Sequence, residues 1–147
     1  MTYVVDCSII IRLLANQPGD ALLRQRLSRP VHAPALVDAE VSSVIRGLAI
    51  TTKPDVRISG ERALEMLHDY AGLRIVRHTM QPLQLRAFEM RHNVTACDAM
   101  YIALAERLNL PVLTDDGKLD GAPGHHAEIC RYPDRPEAAP PGHTAGD

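Results

Sequence analysis

Tryptophan is absent from these 147 residues, phenylalanine occurs once and tyrosine four times, which leaves few rings on which single-stranded bases can stack. An excess of positive charge is missing too. The chain carries 16 Lys and Arg against 18 Asp and Glu, a formal charge of -2, whereas nucleic-acid-binding domains are usually basic. A polyanionic partner must therefore be attracted by something other than net charge. Cysteine is scarce: Cys7, Cys97 and Cys130 form no C-x-x-C pair and leave an odd thiol under any pairing scheme. That excludes a disulfide framework and points to a reducing, cytoplasmic compartment. Long hydrophobic runs are also lacking. The longest, Val4 to Ala15, is interrupted by Asp6 and Arg12, and about 20 mostly apolar residues are needed to span a bilayer. Tyr3-Val4-Val5-Asp6 follows the start without the basic segment of a secretory leader, so a soluble protein without a membrane partner is expected.

What the chain does have is an ordinary globular balance, 46% hydrophobic and 23% charged residues. At this length a single core buries roughly 70% of the unfolded surface. Thr2 to Asp6 reads as a short buried strand, followed by helices over Ser8–Asn16 and Asp20–Ser28, the second with Leu22, Leu23 and Leu27 inward. Val31–Ala33 reads as a strand, Pro34 as the opening of the next segment, and Leu36 to about Ile50 as a helix. Ser59 caps a helix with Ala63, Leu64, Leu67 and Ala71 inward, and Gly72 ends it. Leu73–Arg77 is a strand, Pro82 to about His92 a helix, and Thr95 opens another helix through Leu108. Pro111–Thr114, a helical turn near Lys118 and a strand near Glu128–Arg131 complete a domain over residues 1–132. Residues 133–147 form a Pro/Ala/Gly-rich tail without an apolar face, expected to be flexible. Strands alternating with helices imply an α/β fold with a mainly parallel sheet, whose ligands bind beyond the carboxyl ends of the strands.

Acidic residues fall at those ends. Asp6 closes the first strand, and Asp115-Asp116 follow the strand that ends at Thr114. Glu40 lies early in a helix among Val37, Val41 and Val44, at the boundary of the core. Asp98 stands three residues after Thr95, at a helix N-terminus that favours its ionised form. Singly, each has an ordinary explanation as a turn or capping residue. Together they repel one another unless a cation holds them. An all-oxygen set suits a hard ion such as Mg²⁺ or Mn²⁺ rather than zinc. Such an ion also supplies the positive potential that the composition lacks, and the implied chemistry is metal-assisted phosphodiester hydrolysis.

Val4-Val5-Asp6-Cys7-Ser8, Pro34 to Glu40, Thr95 to Ala105 and Val112 to Asp116 resemble, in order and spacing, the four acidic motifs of PIN-domain ribonucleases, and in particular the VapC-type toxins of bacterial toxin-antitoxin pairs. The resemblance covers about Thr2 to Arg131. It implies a three-layer α/β/α PIN-like fold with a mainly parallel central sheet, and Asp6, Glu40, Asp98 and Asp116 as catalytic metal-binding acids. Ser8 and Thr114 become supporting hydroxyls that orient water, ligand or substrate. It further implies Mg²⁺ or Mn²⁺ as cofactor, RNA as substrate, a homodimer, and a small cognate antitoxin whose tail occupies the active-site groove. The doublet leaves the fourth acid ambiguous by one residue. Strand alternation groups Asp116 with Thr114, and the motif also selects Asp116, with Asp115 at most a supporting or substrate-side charge.

Other readings fit less well. Ser8 stands where a haloacid-dehalogenase-like D-x-D motif has its second Asp, only Lys118 is available for the lysine of a receiver domain, and no Gly-rich loop follows the first strand. A catalytically inactive PIN-like scaffold for a protein partner is the main alternative, although all four acid positions are filled. His125, His126 and Cys130 lack zinc-site spacing. Cys7 and Cys97 lie beside carboxylates that weaken a thiol nucleophile, so both are expected to be core fillers. Arg12 and Arg46 are the leading candidates for phosphate contacts.

Overall fold

The computed structural model describes residues 1–133, so the expected tail lies outside the described residues from 134 onward. Five short strands, β1 (Val4–Val5), β2 (Val31–Pro34), β3 (Ile75–His78), β4 (Val112–Thr114) and β5 (Ile129–Arg131), form one sheet in the order β3-β2-β1-β4-β5. Every neighbouring pair is parallel. The chain builds outward from β1 on one side and returns to add β4 and β5 on the other. The reversal of strand order falls between β1 and β4, which opens a crevice at their carboxyl ends.

The helices are α1 (Cys7–Ala15), α2 (Ala21–Arg26), α3 (Val37–Ile50), α4 (Gly60–Ala71), α5 (Gln84–Glu89) and α6 (Ala96–Leu108). The crossovers β1 to β2 and β2 to β3 run in one direction along the sheet, and with the hand usual for parallel strands both place their helices, α1, α3 and α4, on the same face. Those three pack on one another, while α5 packs on α6, which lies across β1, β2 and β4 on the other face. The result is the expected α/β/α layering around a parallel sheet. Its centre is β1, whose Val4 and Val5 are fully buried with Ile9, Ile102, Val112 and Leu113 around them. This near-continuous apolar pattern belongs to strands covered on both faces.

Helix ends follow local chemistry. Asp6, Ser59 and Thr95 each cap a helix by accepting a backbone N–H, from Ile9, Arg62 and Asp98 respectively, and Asn16 and Asn109 end α1 and α6 in the left-handed conformation. Some expectations change. Pro34 closes β2 instead of opening the next segment, while the turn expected near Lys118 is present as hydrogen-bonded turns over residues 117–121. Leu22 is 71% exposed, leaving Leu23 as the buried residue of α2. On α4 the inward face is Ala63, Met66 and Tyr70, while Leu64 is 60% exposed and Leu67 is also exposed. Two stripes on α4 have helical spacing. Tyr70 selects between them, because its hydroxyl donates to Asp38 of α3 and the Arg77 guanidinium, 5.5 Å from the Tyr70 ring centre, donates to both Asp38 oxygens at 2.8 and 3.0 Å.

Candidate active site

The β1/β4 crevice is a cavity of about 840 Å³. Asp6, Glu40, Asp98, Asp115 and Asp116 all line it, so every predicted acid reaches the same space from β1, α3, α6 and the end of β4. Asp20 adds a further carboxylate, and Arg12 is the only basic side chain among the described residues that line the cavity.

Asp6 is 8% exposed and sits where β1 turns into α1. Its backbone N–H donates to Leu113 O at 3.3 Å, continuing the β1/β4 register by one residue. Ser8 Oγ donates to Asp6 Oδ1 at 2.5 Å, and Thr114 Oγ1 donates to Asp6 Oδ2. Each hydroxyl is itself oriented, because Ser8 Oγ accepts the Asp115 N–H at 3.1 Å and Thr114 Oγ1 accepts the Asp116 N–H at 2.9 Å. The two hydroxyls implied by the motif therefore relay between the backbone of the acidic doublet and the buried carboxylate. Burial pushes the Asp6 carboxyl up to about 6, against the lowering effect of the Ser8, Thr114 and Ile9 hydrogen bonds and with a smaller upward push from Asp115.

The other acids are held separately. Glu40 Oε1 accepts the Tyr101 hydroxyl at 2.5 Å. Burial, followed by Glu40, pushes the Tyr101 phenol far above its ordinary value, so it remains a donor. Thr95 Oγ1 caps the Asp98 N–H at 3.3 Å, while no hydrogen bond or ion pair ties down the Asp98 carboxylate among the described residues. Asp115 Oδ2 pairs with Arg12 Nη1 at 3.4 Å, and Asp116 Oδ1 accepts the Lys118 N–H at 2.9 Å. Arg12 also pairs with Asp20 at 3.1 Å, lies 5.3 Å from the Tyr132 ring centre, and leaves its buried Nε without a hydrogen-bond partner.

As placed, no three or more Asp, Glu, His or Cys groups among the described residues stand together ready to hold an ion. In chemistry the set still fits a hard divalent ion: oxygen donors from four chain segments line one cavity, and one of them, Asp6, is a buried carboxyl with no ion-pair partner among the described residues. His125, His126 and Cys130 form no such group either. Cys7 lines the cavity, but burial and then the charges of Glu40, Asp6 and Asp115 push its thiol up to about 12, which removes it as a nucleophile. Cys97 is exposed rather than a core filler. Arg46 is exposed and does not line the cavity, whereas Arg12 does.

Asp20, Tyr101 and Tyr132 were not singled out from sequence. Tyr101 carried a usable signal, since it follows Asp98 by three residues and so shares its helix face. Asp20 and Tyr132 carried none, because contacts distant in sequence bring them to the cavity: Asp20 pairs with Arg12 and accepts the Tyr132 hydroxyl at 3.2 Å, and the Tyr132 N–H donates to Thr114 O at 2.8 Å.

A stability prediction follows from Asp6. Between pH 4 and 6 the folded, ion-free protein keeps a proton that the unfolded chain releases, so stability falls as pH rises through that window, by about 3 kcal/mol in all. Above it, this contribution is flat. Urea unfolding in chelator across pH 4–7 should show the slope in wild type relative to Asp6→Asn, and parallel curves for the two proteins would contradict the raised value.

The PIN domain family matches residues 3–124. Ribonuclease VapC12 of Mycobacterium tuberculosis is 35% identical over 127 residues, covering 86% of this chain and 95% of that protein. Ribonuclease VapC1 of the same organism is 36% identical over 129 residues, covering 86% and 94%. Two solved structures share the fold. One is VapBC2 from Rickettsia felis bound to a DNA fragment from their promoter, with a TM-score of 0.62, 14% identity, and 89% and 98% of the two chains covered. The other is DNA-bound VapBC from Salmonella typhimurium, with a TM-score of 0.61, 19% identity and the same coverage. With the family matched across most of its length and relatives of this similarity over 86% of it, the chain belongs to the PIN-domain family and, within it, to the VapC ribonucleases.

Proposed function

We propose that the chain is a divalent-metal-dependent endoribonuclease, the cytoplasmic toxin of a toxin-antitoxin pair, in which Asp6, Glu40, Asp98 and Asp116 hold Mg²⁺ or Mn²⁺. The observation that carries this reading is the convergence of acids from four separate segments on one cavity at the switch point of the sheet. Bound there, the ion supplies a Lewis acid that activates water and takes up charge on the departing oxygen. The chain's own groups do the positioning. Ser8 and Thr114 hold Asp6 by both oxygens, and Arg12 offers the cavity's cation to a phosphate, exchanging one of its carboxylate partners for it. The product of hydrolysis is a phosphomonoester on one fragment and a hydroxyl on the other.

Partner surfaces also have support. On α4 the side chains of Leu64 and Leu67, three residues apart on one side of the helix, are exposed, an apolar strip suited to a helix of a small cognate antitoxin whose tail enters the acidic cavity. On α5, Leu85 and Phe88 are exposed, which suits pairing with a second copy in a homodimer. Among the described residues no helix is long and apolar enough to cross a membrane.

The test is purified protein with total RNA, with Mg²⁺ or Mn²⁺ and with chelator, followed by mapping of the cut ends. Cleavage is expected only with the ion, and cleavage undiminished in chelator would overturn the metal mechanism. Millimolar Mn²⁺ should also raise the melting temperature by ~5–10 °C, since an ion that binds only the folded state at 100 times its Kd contributes about 2.7 kcal/mol. An unchanged melting temperature would count against the site.

A further inference from the structure

Tyr101 has no place in the acid set, yet it shares a helix with one member and hydrogen-bonds another. It lies one helical turn beyond Asp98 on α6 and is 1% exposed. Its hydroxyl crosses to α3 and donates to Glu40 Oε1 at 2.5 Å, and both side chains line the acidic cavity. Among the described residues the other Glu40 oxygen takes no hydrogen bond, and no Lys, Arg or His pairs with the carboxylate.

A second phenol–carboxylate contact in the same protein gives the comparison. Tyr70 donates to Asp38, but there Arg77 also binds both Asp38 oxygens and neutralises the charge, and Asp38 does not line the cavity. The Tyr70 contact is complete as a structural lock. The Tyr101 contact is not, because it holds a carboxylate in place and leaves its charge unmatched at the cavity wall. We propose that Tyr101 is a positioning residue of the ion site, fixing Glu40 through Oε1 so that the remaining oxygen is presented to a divalent cation. Helix α6 then serves the site twice, through Asp98 directly and through Tyr101 acting on Glu40. The proposal rests on the metal-dependent reading above.

Partners that orient ligating carboxylates typically account for 10–100-fold in metal affinity. Mn²⁺ titrated calorimetrically into the ion-free full chain should therefore bind Tyr101→Phe about 10-fold or more weakly than wild type. Phenylalanine keeps the ring, so the ion-free melting temperature should stay close to that of wild type. The decisive comparison is in a Glu40→Ala background, where adding Tyr101→Phe should cause no further loss of affinity. Unchanged affinity in Tyr101→Phe, or an equal loss with and without Glu40, overturns the proposal and leaves the metal mechanism standing. If Tyr101→Phe does not fold, Glu40→Asp decides. Its shorter side chain cannot serve phenol and ion together, so a similar loss is expected, and undiminished Mn²⁺ affinity overturns the proposal. Absence of Mn²⁺ binding by wild type removes the ion site and this proposal together.

Discussion

Asp98→Asn is expected to lower RNA cleavage at least about 100-fold, since losing a ligand outright should cost no less than losing the partner of one, while the ion-free protein keeps nearly its wild-type melting temperature. The two readings of Asp98, capping residue and ligand, separate in the structure. Capping belongs to Thr95, whose hydroxyl accepts the Asp98 backbone N–H at 3.3 Å, and an asparagine leaves that bond untouched. The Asp98 carboxylate makes no reciprocal bond and faces the cavity. What the substitution removes is one negative charge at a helix N-terminus, worth roughly 0.3–1 kcal/mol at an exposed position, offset by relief of repulsion with the neighbouring acids. Thermal unfolding in chelator and a matched cleavage assay check both halves. A variant that unfolds would show that Asp98 is a structural residue, and one that cleaves at the wild-type rate would remove it from the ion site.

Much of this was readable before any coordinates. Asp6 and the doublet follow apolar runs that read as parallel strands, and parallel strands placed side by side bring their carboxyl ends together, so two corners of the site came from local pattern alone. Thr95 and Ser59 mark helix starts for a chemical reason that operates within four residues. Glu40 was harder, since its place at the cavity depends on how α3 lies against the sheet, and the motif supplied that position where periodicity did not. The inward face of α4 was misread because Ala63, Leu64, Leu67 and Ala71 make one stripe of helical spacing while Ala63, Met66 and Tyr70 make another. The choice between those stripes depends on Asp38 and Arg77, residues 32 positions before Tyr70 and on the following strand. The leucines of the other stripe, Leu64 and Leu67, are left exposed. Long-range hydrogen bonds such as Tyr101 to Glu40 and Arg12 to Asp115, separated by 61 and 103 residues, have no local signature at all.

Asp116→Asn should reduce cleavage far more than Asp115→Asn at saturating Mg²⁺. The strand ends at Thr114, so alternation of side chains does not itself extend through the doublet, and the difference must come from what each carboxylate touches. Asp115 is paired with Arg12, which partly meets its charge. Asp116 has one oxygen committed to the turn through the Lys118 N–H and no cation against it among the described residues. The turn fixes the Asp116 side chain near the cavity while leaving its charge for an ion. The contrary indication is that the charge of Asp115, rather than that of Asp116, contributes to the raised values at Asp6 and Cys7. Its proximity to Asp6 makes Asp115 the natural rival for the fourth position. Arg12 weighs against that role, because a carboxylate that binds an ion here must first give up its guanidinium, whereas Asp116 surrenders nothing. Asparagine at 116 can keep the turn through its carbonyl oxygen, so its loss of activity reports the charge. Asparagine at 115 leaves Arg12 still held by Asp20, so the cavity wall survives and cleavage should fall less than about 10-fold, below the usual effect of disturbing a ligand's partner. Cleavage rates measured side by side across a Mg²⁺ titration decide it: equal losses, or a larger loss at 115, would place the fourth ligand one residue earlier and make the Arg12 pair a contact that the ion displaces.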